Sequence, residues 1–181
     1  MDKVDLFEVA VRYLAIKPLK FDKYDFAEAQ EVIKVEKISS VTFIGEHDYF
    51  EKSLDAMLTK VAITNEQNGT IYINIKGLGC SDRVKRKLFE LSQVANTIII
   101  FGEPEKWPRL SPNIKFSKND DIFTDNHQRF FIYHSSGMNI ALVSRHDMHE
   151  GREQTEALIT NDPEAVALLG VTVGTKAYPI L

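Results

Sequence analysis

Cys80 is the only cysteine in 181 residues, and its surroundings make it the first place to look for chemistry. Gly77-Leu78-Gly79-Cys80-Ser81-Asp82 follows an apolar run and opens a helical pattern. Backbone N–H groups at such a strand-to-helix turn can cradle a phosphate. The third glycine of a dinucleotide fingerprint is replaced by Asp82, whose charge opposes a phosphate, and no Gly-Lys-Ser/Thr ending is present. The simpler expectation is a flexible turn with a capped helix. At that helix start a macrodipole, together with Arg83, Lys85 and Arg86, would lower the Cys80 thiol pKa. A nucleophilic role needs a base brought from elsewhere. A free thiol otherwise behaves as a small apolar side chain.

Four of the five histidines, His127, His134, His146 and His149, fall within 23 residues of one another. His146-Asp147-Met148-His149 would place two imidazoles on one face if helical, but the stretch is expected to be a strand exit and loop. No third ligand stands at a fixed spacing, so no metal site is expected. Asp120, Asp121 and Asp125 lack the glycine and closing glutamate of an EF-hand loop. No Gly-x-Ser-x-Gly elbow, His-Glu-x-x-His pair or kinase signature occurs, so no catalytic residue and no cofactor are assigned. Trp107, among Pro104, Pro108, Arg109 and Pro112, either anchors a ligand or partner or closes the edge of the core.

Three strand-to-loop junctions would bring these residues together. Ser40–Ile44, Thr70–Ile75 and Thr97–Phe101 read as strands, with helical patterns over 47–63 and 82–95 between them. That order argues for βαβαβ crossovers and a parallel sheet covered on both faces, with Phe43, Ile73 and Ile99 buried. Ligands of parallel sheets sit beyond the carboxyl ends of the strands. The loops there begin at Gly45, Gly77 and Gly102, so His47, Gly77, Gly79, Cys80, Glu103 and Trp107 form the candidate ligand- or partner-binding rim. The plainer alternative is that these glycines only close turns.

Beyond Gly102 the pattern turns antiparallel. A short strand is expected near 113–116. Arg129–Tyr133 and Asn139–Val143 form a hairpin across Ser135-Ser136-Gly137, with Gly137 supplying a positive φ. Glu156–Thr160 is the last strand. Asp162-Pro163 then starts a helix over 164–169, with aspartate as cap and proline at the first helical position. Before the sheet, helices are expected over 5–16, capped by Asp5, and after Asp25. The fold class is therefore α/β with a mixed sheet, parallel first and antiparallel later. Residues 1–38 form an N-terminal helical section and 39–181 the α/β domain. The apolar stripes of the two helices need the main domain or a second subunit, which offers a route to a homodimer.

Composition narrows the function. With 22 Lys+Arg against 26 Asp+Glu the net charge is −4, which disfavours a broad nucleic-acid footprint. One cysteine excludes an internal disulfide and fits a reducing compartment. Apolar runs inside the chain, such as Ile98–Phe101, are far shorter than the roughly 20 residues of a membrane span. The N-terminus lacks a signal-peptide pattern. A cytoplasmic protein is expected.

In this arrangement residues 39–170 resemble a DICT domain, a sensory module of signal-transduction proteins. The carrying features are the apolar strand with a Glu-Pro exit at Thr97–Pro104, Asp121-Ile122-Phe123, the runs Phe130–Tyr133 and Ile140–Arg145, and Thr160–Val166. The chain has His127-Gln128 where that family often has tryptophan, and Asn161-Asp162-Pro163 where it often has Asp-Arg. The resemblance implies a non-catalytic sensory or regulatory module that binds a signalling partner or a small ligand. The alternative is a small enzyme or nucleotide-binding protein using the Gly77–Asp82 turn.

Overall fold

In the computed structural model, residues 3–14, 20–22, 39–45, 48–64, 68–74, 82–93, 97–102, 111–117, 128–149, 151–177 and 179–180 are described. Their helices are α1 (Leu6–Leu14), α2 (Asp48–Thr64), α3 (Asp82–Ser92) and α4 (Pro163–Gly174). The strands are β1 (Lys20–Asp22), β2 (Ser40–Gly45), β3 (Thr70–Asn74), β4 (Thr97–Phe101), β5 (Ile114–Ser117), β6 (Arg129–His134), β7 (Asn139–His149), β8 (Arg152–Thr160) and β9 (Pro179–Ile180). All nine lie in one mixed sheet of order β1-β2-β8-β7-β6-β3-β4-β5-β9, with two very short strands at its edges.

β3, β4 and β5 are mutually parallel neighbours, while β2, β8, β7, β6 and β3 alternate in direction. Four antiparallel steps return β2 to the direction of β3, so the two run the same way with three strands between them. At about 4.8 Å per strand they stand about 19 Å apart. The expected βαβαβ unit is therefore only half contiguous: β3-α3-β4 joins neighbours, whereas β2-α2-β3 spans the antiparallel strands. The 17 residues of α2 span about 25 Å, enough for that longer crossing.

Each crossover moves the chain the same way along the sheet, and α2 and α3 share one face. Phe50, Leu54 and Met57 of α2 and Val84 and Leu88 of α3 pack there against Ile71, Ile73, Ile98 and Phe131. The other face is covered by α1 and α4, through Leu6, Phe7, Ala10, Val166, Leu169 and Val173 against Phe101, Phe130, Ile132 and Val143. Sheet residues covered on both sides must be apolar at successive positions, which explains the run Phe130-Phe131-Ile132-Tyr133. Ile73 is buried as expected and Ile99 is partly buried; the Phe43 side chain is outside the described set.

The N-terminal section joins these layers. Asp5 Oδ1 accepts from Glu8 N at 3.0 Å, the expected cap. Leu6, Phe7 and Ala10 of α1 are buried within the chain itself. β1 pairs with β2 in parallel. The second N-terminal helix expected after Asp25 lies outside the described residues.

Three local expectations need correction. The segment 113–116 forms β5, but parallel to β4, so the antiparallel half begins only at β6. Gly137 does not take a positive φ; among the described glycines only Gly151 does, at 75°. The β6–β7 link is closed instead by Ser135 N donating to Met138 O at 3.0 Å. The expected loop around His146 is strand: β7 continues to His149 and pairs with β8 in the register His149↔Arg152. Two residues remain for that turn, and Gly151 supplies the left-handed conformation.

The α4 start follows its sequence signal. Asp162 Oδ1 accepts from Ala165 N at 2.8 Å and Pro163 occupies the first helical position. The helix extends to Gly174, five residues beyond the expected end.

Candidate functional site

The last residues of β3, β4 and β5, Asn74, Phe101 and Ser117, stand side by side in register. Two of the three are polar although all three are buried, with Asn74 only 3 % exposed. Beside them lie Gln128, just before β6, and Arg129, its first residue, 0 % and 1 % exposed. The sheet thus ends in a polar floor rather than an apolar one. A buried polar group is costly unless bonded, so its placement calls for partners.

Asn74 Nδ2 donates to the Gln128 carbonyl oxygen at 3.0 Å, tying the end of β3 to the start of β6. Gln128 Oε1 accepts from Leu6 N at 2.9 Å and so satisfies a first-turn amide of α1. That bond fixes the amide orientation, since a backbone N–H requires the oxygen. Gln128 Nε2 is then buried with no hydrogen-bond partner among the described residues. An unmatched buried donor costs about 1–3 kcal/mol, a cost an acceptor on a ligand would remove. On the opposite face, the Arg129 guanidinium lies 6.0 Å from the Phe50 ring centroid at the start of α2.

The six residues expected to ring this end, His47, Gly77, Gly79, Cys80, Glu103 and Trp107, lie outside the described set. The strands leading to them are described. β3 and β4 finish together at Asn74 and Phe101, so the segments after them depart from one end of the sheet. β2 finishes at Gly45 on the far side of β8, β7 and β6. Asp82 is an exposed acid in the first turn of α3. Gln128 and Asn74 were not singled out from sequence. The available signal was a polar pair, Gln128-Arg129, directly before a fully apolar strand.

Among the described residues no group of three or more His, Cys, Asp or Glu could hold a metal ion.

Arg145 of β7 holds α1 against the sheet near the same end. Its guanidinium lies 3.0 Å from Asp5 Oδ2 and 3.0 Å from Glu156 Oε2, and 4.4 Å from the Phe7 ring centroid. Burial works against its charge, but the bonds to Glu156 and Asp5 outweigh that and push its pKa up.

A second feature occupies the opposite, amino end of β3. A pocket of about 370 Å³, open to solvent where His134, Val171 and Thr175 are exposed, lies beside the C-terminal half of α4 and is lined also by Thr70, Tyr72, Ala167, Gly170 and Gly174. Thr70 and His134 are paired across β3 and β6. Gly170 and Gly174 leave room for the Tyr72 ring: a Cβ at Gly174 would sit 2.8 Å from Tyr72 Oη. Burial pushes the Tyr72 phenol up from its ordinary value.

No family model and no curated protein matches this sequence. Among solved structures, similarity is found to a polyphosphate kinase from Porphyromonas gingivalis, at 16% identity and a TM-score of 0.48. It covers 86% of this chain but only 27% of that one. A phospholipase D family member, Nuc from Salmonella typhimurium, matches at 9% identity and a TM-score of 0.44, over 78% of this chain and 98% of that one. The archaeal chromatin protein TrmBL2 matches at 11% identity and a TM-score of 0.47, over 83% and 60%. At these scores none of the three defines an activity for this chain. The class defined by its own fold is a mixed α/β protein with a buried polar floor at the carboxyl end of its parallel strands.

Proposed function

We propose that the chain is a non-catalytic sensory or regulatory module that binds a small ligand at the carboxyl end of β3–β5 and passes its occupancy to a signalling partner. The observation that carries this reading is Gln128. One end of its amide holds the first turn of α1, and the other is a donor with no partner among the described residues, at the floor of the site. A ligand acceptor bound to Nε2 would shift the amide and thereby the seating of α1. The resemblance to a DICT domain implies the same class of role.

The test uses thermal shift with ATP and glucose 6-phosphate, followed by hydrogen exchange. A ligand of the native state raises the midpoint by mass action. A binding probe should also slow exchange in the first turn of α1, and Gln128→Leu should abolish that response. Binding that leaves α1 untouched argues against the regulatory reading, as does a flat screen. Turnover of either probe would favour the enzymatic alternative built on Gly77–Asp82.

A further inference from the structure

We infer that the pocket beside α4 is a second binding site, independent of the carboxyl-end floor, and that it takes a small uncharged molecule with an apolar body and one hydrogen-bonding edge. Its volume, about 370 Å³, falls within the range of small-molecule sites, about 300–1,000 Å³. Its walls are apolar where Ala167, Val171 and the Tyr72 ring contribute.

The polar groups are few and collect on the sheet side. Tyr72 and His134 belong to adjacent strands, and Thr70 stands opposite His134 in register. Positions 70, 72 and 134 share the face of the sheet that α4 covers, by the alternation of side chains along each strand. Asn139 Oδ1 accepts from His134 Nδ1, which leaves Nε2 as the acceptor of the neutral ring. Among the described residues no group hydrogen-bonds Tyr72 Oη. A phenol donor and an imidazole acceptor therefore both remain available to a ligand.

Charge selects against anions. Among the described residues no Asp, Glu, Lys or Arg lines the cavity. The overlying end of α4 is its C-terminus, where the helix dipole is negative and disfavours an anion. A neutral ligand needs neither a counter-charge nor that dipole. Gly170 keeps the space open: a Cβ there would meet only Tyr72 Cε2, at 3.8 Å.

The test is two-dimensional amide NMR with indole and benzyl alcohol as uncharged probes, and benzoate and phenyl phosphate as anionic counterparts. Indole or benzyl alcohol should shift the amides of Tyr72, His134 and Val171 saturably, and neither anion should. Gly170→Leu, which puts a side chain into the cavity, should remove the response while the remaining spectrum stays native. Should that variant not fold, Tyr72→Phe, which deletes only the phenol oxygen, serves in its place. It should weaken benzyl alcohol binding about fivefold, the loss of the hydrogen bond from the phenol to the alcohol oxygen. The inference is overturned by shifts confined elsewhere, by no shifts at millimolar probe, by equal binding of phenyl phosphate, or by undiminished binding to a folded Gly170→Leu or to Tyr72→Phe.

Discussion

Two glycines divide cleanly by what a methyl group would meet. A Cβ at Gly69 would lie 2.6 Å from the Tyr133 hydroxyl oxygen and as close to its ring, and Tyr133 is fully buried in the core. Gly69→Ala should therefore cost about 1–3 kcal/mol, the range for overpacking, read as a lower urea midpoint. Gly170→Ala goes the other way. Its Cβ makes one ordinary contact, and alanine in a helix interior gains up to about 1 kcal/mol over glycine. A melting point raised by about 2–4 °C is expected, and a fall would mean the cavity wall is closed. The Tyr72 phenol also sets a pH limit. Its folded pKa is raised by burial, so the folded state holds the proton longer than the unfolded one. That contribution is complete below the ordinary value of 10.0 and is lost as pH rises through the folded pKa. Absorbance titration at 295 nm should show a late-ionising tyrosine that Tyr72→Phe removes.

The short helix α1 is held by contacts from far along the chain. Gln128 is 122 residues from Leu6, and Arg145 is 140 residues from Asp5. Arg145→Ala would leave Asp5, Glu8 and Glu156 facing one another and uncover Phe7. Because the pair is partly buried and networked, a cost of about 1–2 kcal/mol is expected, above that of an isolated surface pair. Faster amide exchange confined to α1 would show that the loss is in its docking. Unchanged exchange would refute the clamp. Sequence made α1 itself legible, through Asp5 and the spacing of Leu6, Val9, Ala10 and Tyr13, because caps and periodicity are local. Its partner was not legible, since no local signal joins Asp5 to Arg145. The β7–β8 hairpin failed for a related reason. Beyond Ser144 the chain turns polar, so alternation fades and the segment resembles a loop, yet cross-strand pairing carries both strands on to His149 and Arg152.

At the scale of the whole molecule, β3, β4 and β5 form a parallel block and β2, β8, β7 and β6 an antiparallel one, with β1 added parallel to β2 and β9 antiparallel to β5. Sequence showed the β3-α3-β4 crossover and the β6–β7 hairpin, because helix-linked apolar runs and close-spaced strands have different signatures, but it set β5 in the antiparallel half. It did not show the order of the strands in the sheet. Nothing in the sequence of β2 or β3 indicates that three later strands insert between them, because the crossing through α2 is compatible with either spacing. The candidate rim was legible only as three glycine junctions, whereas its buried floor depends on how Gln128 is oriented by α1. Basic residues on α3 illustrate the same limit. Arg83 and Lys87 belong to a run of four basic residues with Lys85 and Arg86, but both engage Asp55 of α2, at 3.1 and 2.6 Å. This topology predicts the exchange order of the amides. β6, the 140–144 segment of β7 and the 157–160 segment of β8 are buried by helices on both faces and paired on both edges. Their amides should open only with global unfolding and exchange slowest. β1 and β9 lie at the sheet edges, with three and two residues, and should exchange fastest. The α1 amides should fall between these limits, tracking the core if residues 1–38 fold with the rest. Slower exchange in β4 and β5 than in β7 and β8 would place the stable nucleus in the parallel half and contradict this order. So would α1 amides exchanging at random-coil rates, which would make the N-terminal section an appendage despite the burial of Leu6 and Phe7.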